Sequence, residues 1–135
     1  MASRIIVLIT GVMFLMLSGP AASQDWVDIK SPEELRALHS NKTFRSTFSG
    51  VPVVEHYRAD GKGILISAEL RIPCTWEVKG NDQVCISFQE GTDCFRFQRS
   101  KKNPDEYVRT RTQHGTRRAT SSMEILKVED GIPEF

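Results

Sequence analysis

Gln83-Val84-Cys85-Ile86-Ser87-Phe88, followed shortly by Cys94-Phe95-Arg96-Phe97-Gln98, is the stretch that decides the fold. Val84, Ile86 and Phe88 alternate with Gln83, Cys85 and Ser87, and Phe95 and Phe97 alternate with Cys94, Arg96 and Gln98. This period of two marks half-buried strands. Both cysteines lie on the side away from the apolar residues. If the strands form an antiparallel hairpin with Cys85 opposite Cys94, Val84 faces Phe95 and both point inward, so disulfide and hydrophobic register agree. A slip of one residue would turn the core residues outward. The expected bond is therefore Cys85–Cys94, worth about 2.5–3 kcal/mol for so short a loop. Cys74 shares the inward side with Trp76 and Val78, where it is expected to be a small buried free thiol. The alternative is a reactive or metal-binding cysteine cluster. It lacks the close C-x-x-C pairs and neighbouring histidines that zinc sites prefer.

The same alternation extends upstream. Ile64, Ile66, Ala68, Leu70 and Ile72 alternate with Leu65, Ser67, Glu69 and Arg71, and the parity continues past Pro73 through Cys74, Trp76 and Val78. Pro73 is expected to mark a bend or edge position between two strands with a common inward face. Weaker strand signals fall at Phe44–Phe48, Val53–Arg58, Glu106–Thr112 and Met123–Val128. Turn chemistry stands at Asp60-Gly61-Lys62-Gly63, Gly80-Asn81-Asp82, Asn103-Pro104-Asp105 and His114-Gly115. The tail from Glu129 to Pro133 is expected to end the last strand and fray.

One helix precedes the strands. Ser31-Pro32-Glu33-Glu34 has the form of a capping box, with Ser31 as N-cap, Pro32 at the first helical position and Glu34 reaching back. Leu35 and Leu38 share a face, Asn41 is a plausible stop, and Trp26 and Ile29 can lie on the core. A short helix and seven or eight short strands read as a mainly β domain, an antiparallel meander curled into a small barrel or sandwich.

The first 23 residues have the three-part layout of a cleavable secretory signal. Arg4 supplies charge, Ile5–Leu17 is apolar apart from Thr10 and Gly11, and Ala21 and Ser23 place small side chains before Gln24. The expected organisation is a signal peptide at 1–23 and a single β-rich domain at 24–135, periplasmic or secreted, with no transmembrane segment in the mature chain.

The chain carries 18 Lys and Arg against 17 Asp and Glu, a net charge of +1. That balance hides an uneven distribution. Arg96, Arg99, Lys101, Lys102, Arg109, Arg111, Arg117 and Arg118 lie in one stretch with only Asp105 and Glu106. Arg96 points away from Phe95 and Phe97, and Arg109 and Arg111 share one face of the next strand. If these strands are neighbours, Arg96, Arg99, Lys101, Lys102, Arg109 and Arg111 form a basic outer face able to bind phosphate or carboxylate oxygens. Two solvated halves of opposite charge are the plainer reading. Nucleic acid suits the chain poorly, because net charge is near zero and no aromatics stand among the arginines.

Catalysis finds little support. His39 stands near a helix end, His56 alternates outward and His114 sits in a turn, and each is read as a satisfied surface histidine. There is no nucleophile elbow and no phosphate loop. No catalytic residue, metal or cofactor is assigned. Asn41-Lys42-Thr43 fits a glycosylation acceptor and is treated as incidental.

Tyr57-Arg58-Ala59-Asp60-Gly61, Cys74-Thr75-Trp76, Cys85 and Asp93-Cys94-Phe95 together resemble small exported bacterial β-domain proteins of unknown function. In these an aromatic-x-x-D-G turn precedes a G-x-W strand and two cysteines about nine residues apart. Cys74 stands where that family usually has glycine, which argues for packing rather than chemistry. A looser similarity in size, tryptophan and disulfide links the chain to periplasmic β-barrel inhibitors of proteases and lysozymes. The leading expectation is a non-enzymatic exported domain that binds a protein or an anionic envelope component through the basic face. An inhibitor of a protease or lysozyme is second. A carrier of a small apolar ligand is third, disfavoured because Trp76, Phe88, Phe95 and Phe97 have bulk enough to fill a small barrel.

Overall fold

The computed structural model describes residues 25–116 and 123–135. The signal segment, Arg117 and Arg118 lie outside the described residues. No described helix is long and apolar enough to cross a membrane.

The elements run β1 (Trp26–Asp28), α1 (Pro32–His39), β2 (Lys42–Phe48), β3 (Val51–Tyr57), β4 (Lys62–Ser67), β5 (Leu70–Lys79), β6 (Gln83–Phe88), β7 (Gly91–Ser100), β8 (Glu106–Gln113) and β9 (Met123–Asp130). Strands β2 to β9 pair antiparallel in sequence order, and β9 returns to β2 through Phe44↔Val128, closing an eight-stranded barrel. Short β1 adds beside the far half of β7, opposite Gln98 to Ser100.

The hairpin that decides the fold has the expected register, with Val84 opposite Phe95 and Cys85 opposite Cys94. The cysteines are bonded and Cys74 is a buried free thiol. Burial raises the Cys74 thiol to about 12, which keeps it protonated and unreactive.

The upstream strand differs from expectation. Residues 64–72 are not one strand bending at Pro73. The chain reverses at Ala68-Glu69, where Ala68 has φ 52°, and Ser67 pairs with Leu70. Pro73 sits inside β5 opposite Ile64. The reversal moves the inward set of β4 to Gly63, Leu65 and Ser67, which face the inward residues Tyr57, Glu55 and Val53 of β3. Two facts concealed this. Ile64-Leu65-Ile66 is apolar on both faces, and Ala-Glu carries none of the glycine or asparagine that a tight hairpin usually needs.

Helix α1 plugs one end of the barrel. Ser31 caps it as expected, its hydroxyl accepting from the Glu34 backbone N–H at 3.3 Å and donating to Glu33 Oε2 at 2.9 Å, while the Glu34 carboxylate accepts from Arg99 Nη1 at 3.4 Å instead of reaching back. Leu35 and Leu38 are buried against inward residues that include Phe44, Tyr57, Trp76, Phe97 and Leu126. Gly63 is required at this end, because a Cβ there would stand 2.9 Å from both Cys74 Sγ and a Tyr57 ring carbon. The C-terminal tail is pinned rather than frayed. The Gly131 N–H donates to the Asn41 carbonyl at 2.9 Å, and Phe135 stacks on His56 outside the barrel.

His39 corrects another expectation. It is fully buried, not a surface residue, with its ring centroid 4.8–5.3 Å from those of Phe44, Phe97, Tyr57 and Trp76. Its Nδ1–H donates to the Leu35 carbonyl at 2.8 Å, which leaves Nε2 as an unpartnered acceptor. Loss of hydration lowers its pKa from 6.5 to about 3.

A pH dependence follows from that shift. Below 6.5 the unfolded chain takes up a proton that folded His39 refuses until about pH 3, so this histidine removes stability as pH falls through that window. In His39→Leu that contribution is absent. The stability difference between the parent and His39→Leu, measured by urea unfolding at pH 7, 5 and 4, should move in favour of the variant by about 1.4 kcal/mol per pH unit below pH ~6. A difference independent of pH would show that His39 is not buried neutral. Replacing Gly63 by Ala should cost about 1–3 kcal/mol by overpacking Tyr57 and Cys74.

Candidate functional site: a half-open barrel with an ion-paired wall

The barrel interior divides into two unlike halves. Around α1 the aromatic cluster fills it. Toward the other end lies a cavity of about 540 Å³. Its walls are largely apolar, formed by Val53, Leu65, Ile72, Ile86, Phe88 and Phe95. Phe48, Leu70 and Met123 stand at the mouth, 43%, 63% and 61% exposed. Of the bulk expected to fill the barrel, Trp76 and Phe97 stand at the helix end and do not reach the cavity, while Phe88 and Phe95 form part of its wall.

Charged side chains line the same cavity. Glu55 on β3, Asp93 on β7, Arg109 and Arg111 on β8 and Glu124 on β9 all take part in its wall. Arg109 is 5% exposed and lies between two carboxylates. Its Nη1 donates to Glu55 Oε1 at 3.0 Å, and its Nε and Nη2 donate to Glu124 Oε2 at 2.8 and 2.6 Å. The neighbouring carboxylates and Tyr57 raise the guanidinium's pKa further, outweighing desolvation, so it stays charged. Tyr57 adds a hydroxyl donated to Glu55 Oε1 at 2.6 Å. Burial, then the Glu55 charge, push the Tyr57 pKa well above 10, so it remains a donor. Arg111 stands between Asp93 at 4.0 Å and Glu124 Oε1 at 3.8 Å. The Phe95 ring lies 4.6 Å from the Arg109 guanidinium carbon and 5.2 Å from that of Arg111. Asp93 also accepts from the Gly115 and Thr116 backbone N–H groups at 2.9 and 3.0 Å, tying the β8–β9 connection to the cavity wall.

This arrangement corrects the proposed basic face. Arg109 and Arg111 point into the barrel, facing Phe97 and Phe95 across the β7–β8 pairing. The inward side of β8 therefore reads Tyr107, Arg109, Arg111, while Val108 and Thr110 take the outward side. Compensation by Glu55 and Glu124 makes this burial tolerable. The other four residues stay on the outside, but three have acidic partners. Arg96 lies 3.3 Å from Asp82, Arg99 lies 3.4 Å from Glu34 and Lys102 lies 3.6 Å from Asp25. Lys101 is exposed.

A carboxylate of the wall stands out. Glu55 is 2% exposed, and its Oε2 has no hydrogen-bond partner. An external groove of about 460 Å³, between α1 and the β7–β8 turn, has no such atom among the residues that line it. No group of three His, Cys, Asp or Glu among the described residues is arranged to hold a metal ion. Sequence reading missed Glu55 and Glu124 altogether. The available signal was a lone glutamate on the same parity as Val53 and Tyr57, a polar residue on an inward face.

Comparison with family models, with curated proteins and with solved structures returned no match.

Removing one partner from the buried pair leaves the other charge uncompensated. Arg109→Ala should therefore cost about 3–5 kcal/mol in urea unfolding. Arg96→Ala, at an exposed pair, should cost less than about 1 kcal/mol. Equal effects would place Arg109 in water.

Proposed function

We propose that this protein binds a small, predominantly apolar molecule inside its barrel and is not an enzyme. The observation that carries this reading is the cavity of about 540 Å³ with apolar walls, open at a rim that includes exposed Phe48, Leu70 and Met123. Its size falls in the roughly 300–1,000 Å³ range of small-molecule sites, and apolar walls with a few placed polar groups are the usual composition. Burying apolar ligand surface there gains about 25 cal/mol per Å² removed from water, before the cost of immobilising the ligand. The aromatic half and α1 support this role by filling the far end, which leaves the rim at Phe48, Leu70 and Met123 as the way in among the described residues.

The place of action fits the same reading. The signal-like segment at 1–23 and the Cys85–Cys94 disulfide support an oxidising compartment, a periplasm or the cell exterior. An apolar molecule in transit through water there needs a container.

N-phenyl-1-naphthylamine, a probe that brightens in apolar surroundings, tests the proposal. Its fluorescence should rise saturably with the purified protein. Leu65→Trp, which adds bulk to the cavity wall, should reduce that affinity at least about tenfold while leaving the circular dichroism spectrum unchanged. Probe binding that ignores Leu65→Trp would place the site elsewhere and defeat the proposal.

A further inference from the structure

We infer that the ligand carries a protonated amine on its apolar body and that the cavity discriminates against carboxylates; this rests on the barrel-binding reading above. Two arginines in an apolar cavity suggest at first an anionic head. The geometry points the other way. Arg109 directs Nε, Nη1 and Nη2 to Glu55 and Glu124, and Arg111 lies between Glu124 and Asp93.

The described wall contains more carboxylates than guanidinium groups. Three carboxylates line the cavity against two guanidinium groups among the described residues. Glu55 spends Oε1 on Arg109 and Tyr57, while its Oε2 has no partner. A buried acceptor without a donor costs about 1–3 kcal/mol. Glu124 engages Arg109 through Oε2, its Oε1 stands 3.8 Å from Arg111, and its side chain is 18% exposed. These two glutamates flank Arg109 from β3 and β9.

An ammonium brings positive charge and three donors to this wall. It balances the charge of the described wall and supplies the donor that Glu55 Oε2 lacks. A hydroxyl supplies a donor but no charge. A carboxylate supplies neither and adds a further negative charge in a desolvated site. The expected order of affinity is amine, then alcohol, then acid.

Displacement of N-phenyl-1-naphthylamine by decylamine, decanol and decanoate at pH 7 tests this order on a constant alkyl chain. Decylamine should displace the probe at a concentration at least about tenfold lower than decanoate, with decanol between them. The preference for decylamine over decanol, measured as a ratio within each protein, should shrink toward one in Glu55→Gln. Glu124→Gln, at the less buried carboxylate, reads the same ratio where Glu55→Gln fails to fold. Decanoate equal to or better than decylamine would overturn the inference and leave the barrel-binding reading intact. A ratio unchanged in the folded variants would also overturn it. Failure of every compound to displace the probe, with no effect of Leu65→Trp on probe binding, would instead remove the barrel-binding reading itself.

Discussion

A guanidinium inside a β-barrel is costly unless its charge is paired and its donors are satisfied, and here Arg109 is met by Glu55 from β3 and Glu124 from β9. This three-strand ion pair separates the two halves of the interior. On one side of it the aromatic rings and the helix exclude water and fill the space. On the other, the described residues surround a cavity. Desolvating three charges is costly, and an apolar replacement of equal volume would often be as stable. Retention of the charged network is consistent with the proposed recognition of a polar group at the cavity wall.

The aromatic half depends on small details of backbone and tautomer. His39 fits among four aromatic rings because its Nδ1 proton is taken by its own helix and its ring stays neutral. The absence of a side chain at Gly63 makes room for Tyr57 and Cys74. Tyr57 then reaches from this cluster to Glu55, coupling the packed half to the charged wall through one hydrogen bond. The disulfide joins β6 and β7 one residue from Asp93, which accepts from the Gly115 N–H of the β8–β9 connection.

Much of the architecture was legible along the chain. Alternation in residues 83–98 set the hairpin register and the disulfide together, because only one pairing keeps Val84 and Phe95 inside while joining Cys85 to Cys94. The cap at Ser31 and the weaker strands were likewise readable from local chemistry. The turn at Ala68-Glu69 was not, since nothing in those two residues demands it. Its position follows from the pairing of β4 with β5, which is a non-local property.

The sequence by itself determined a mainly β fold, the helix with its buried Leu35 and Leu38, the bonded pair and the buried thiol, because each depends on neighbours within a few residues or on a two-residue period. Only the tertiary structure decided which way Arg109 and Arg111 face and that the barrel is half open. An inward arginine violates the apolar-in rule from which facing is read. Its stability comes from Glu55 and Glu124, which stand 54 and 15 residues away along the chain. A charge is buried where its partners converge, and that convergence exists only once the barrel has closed.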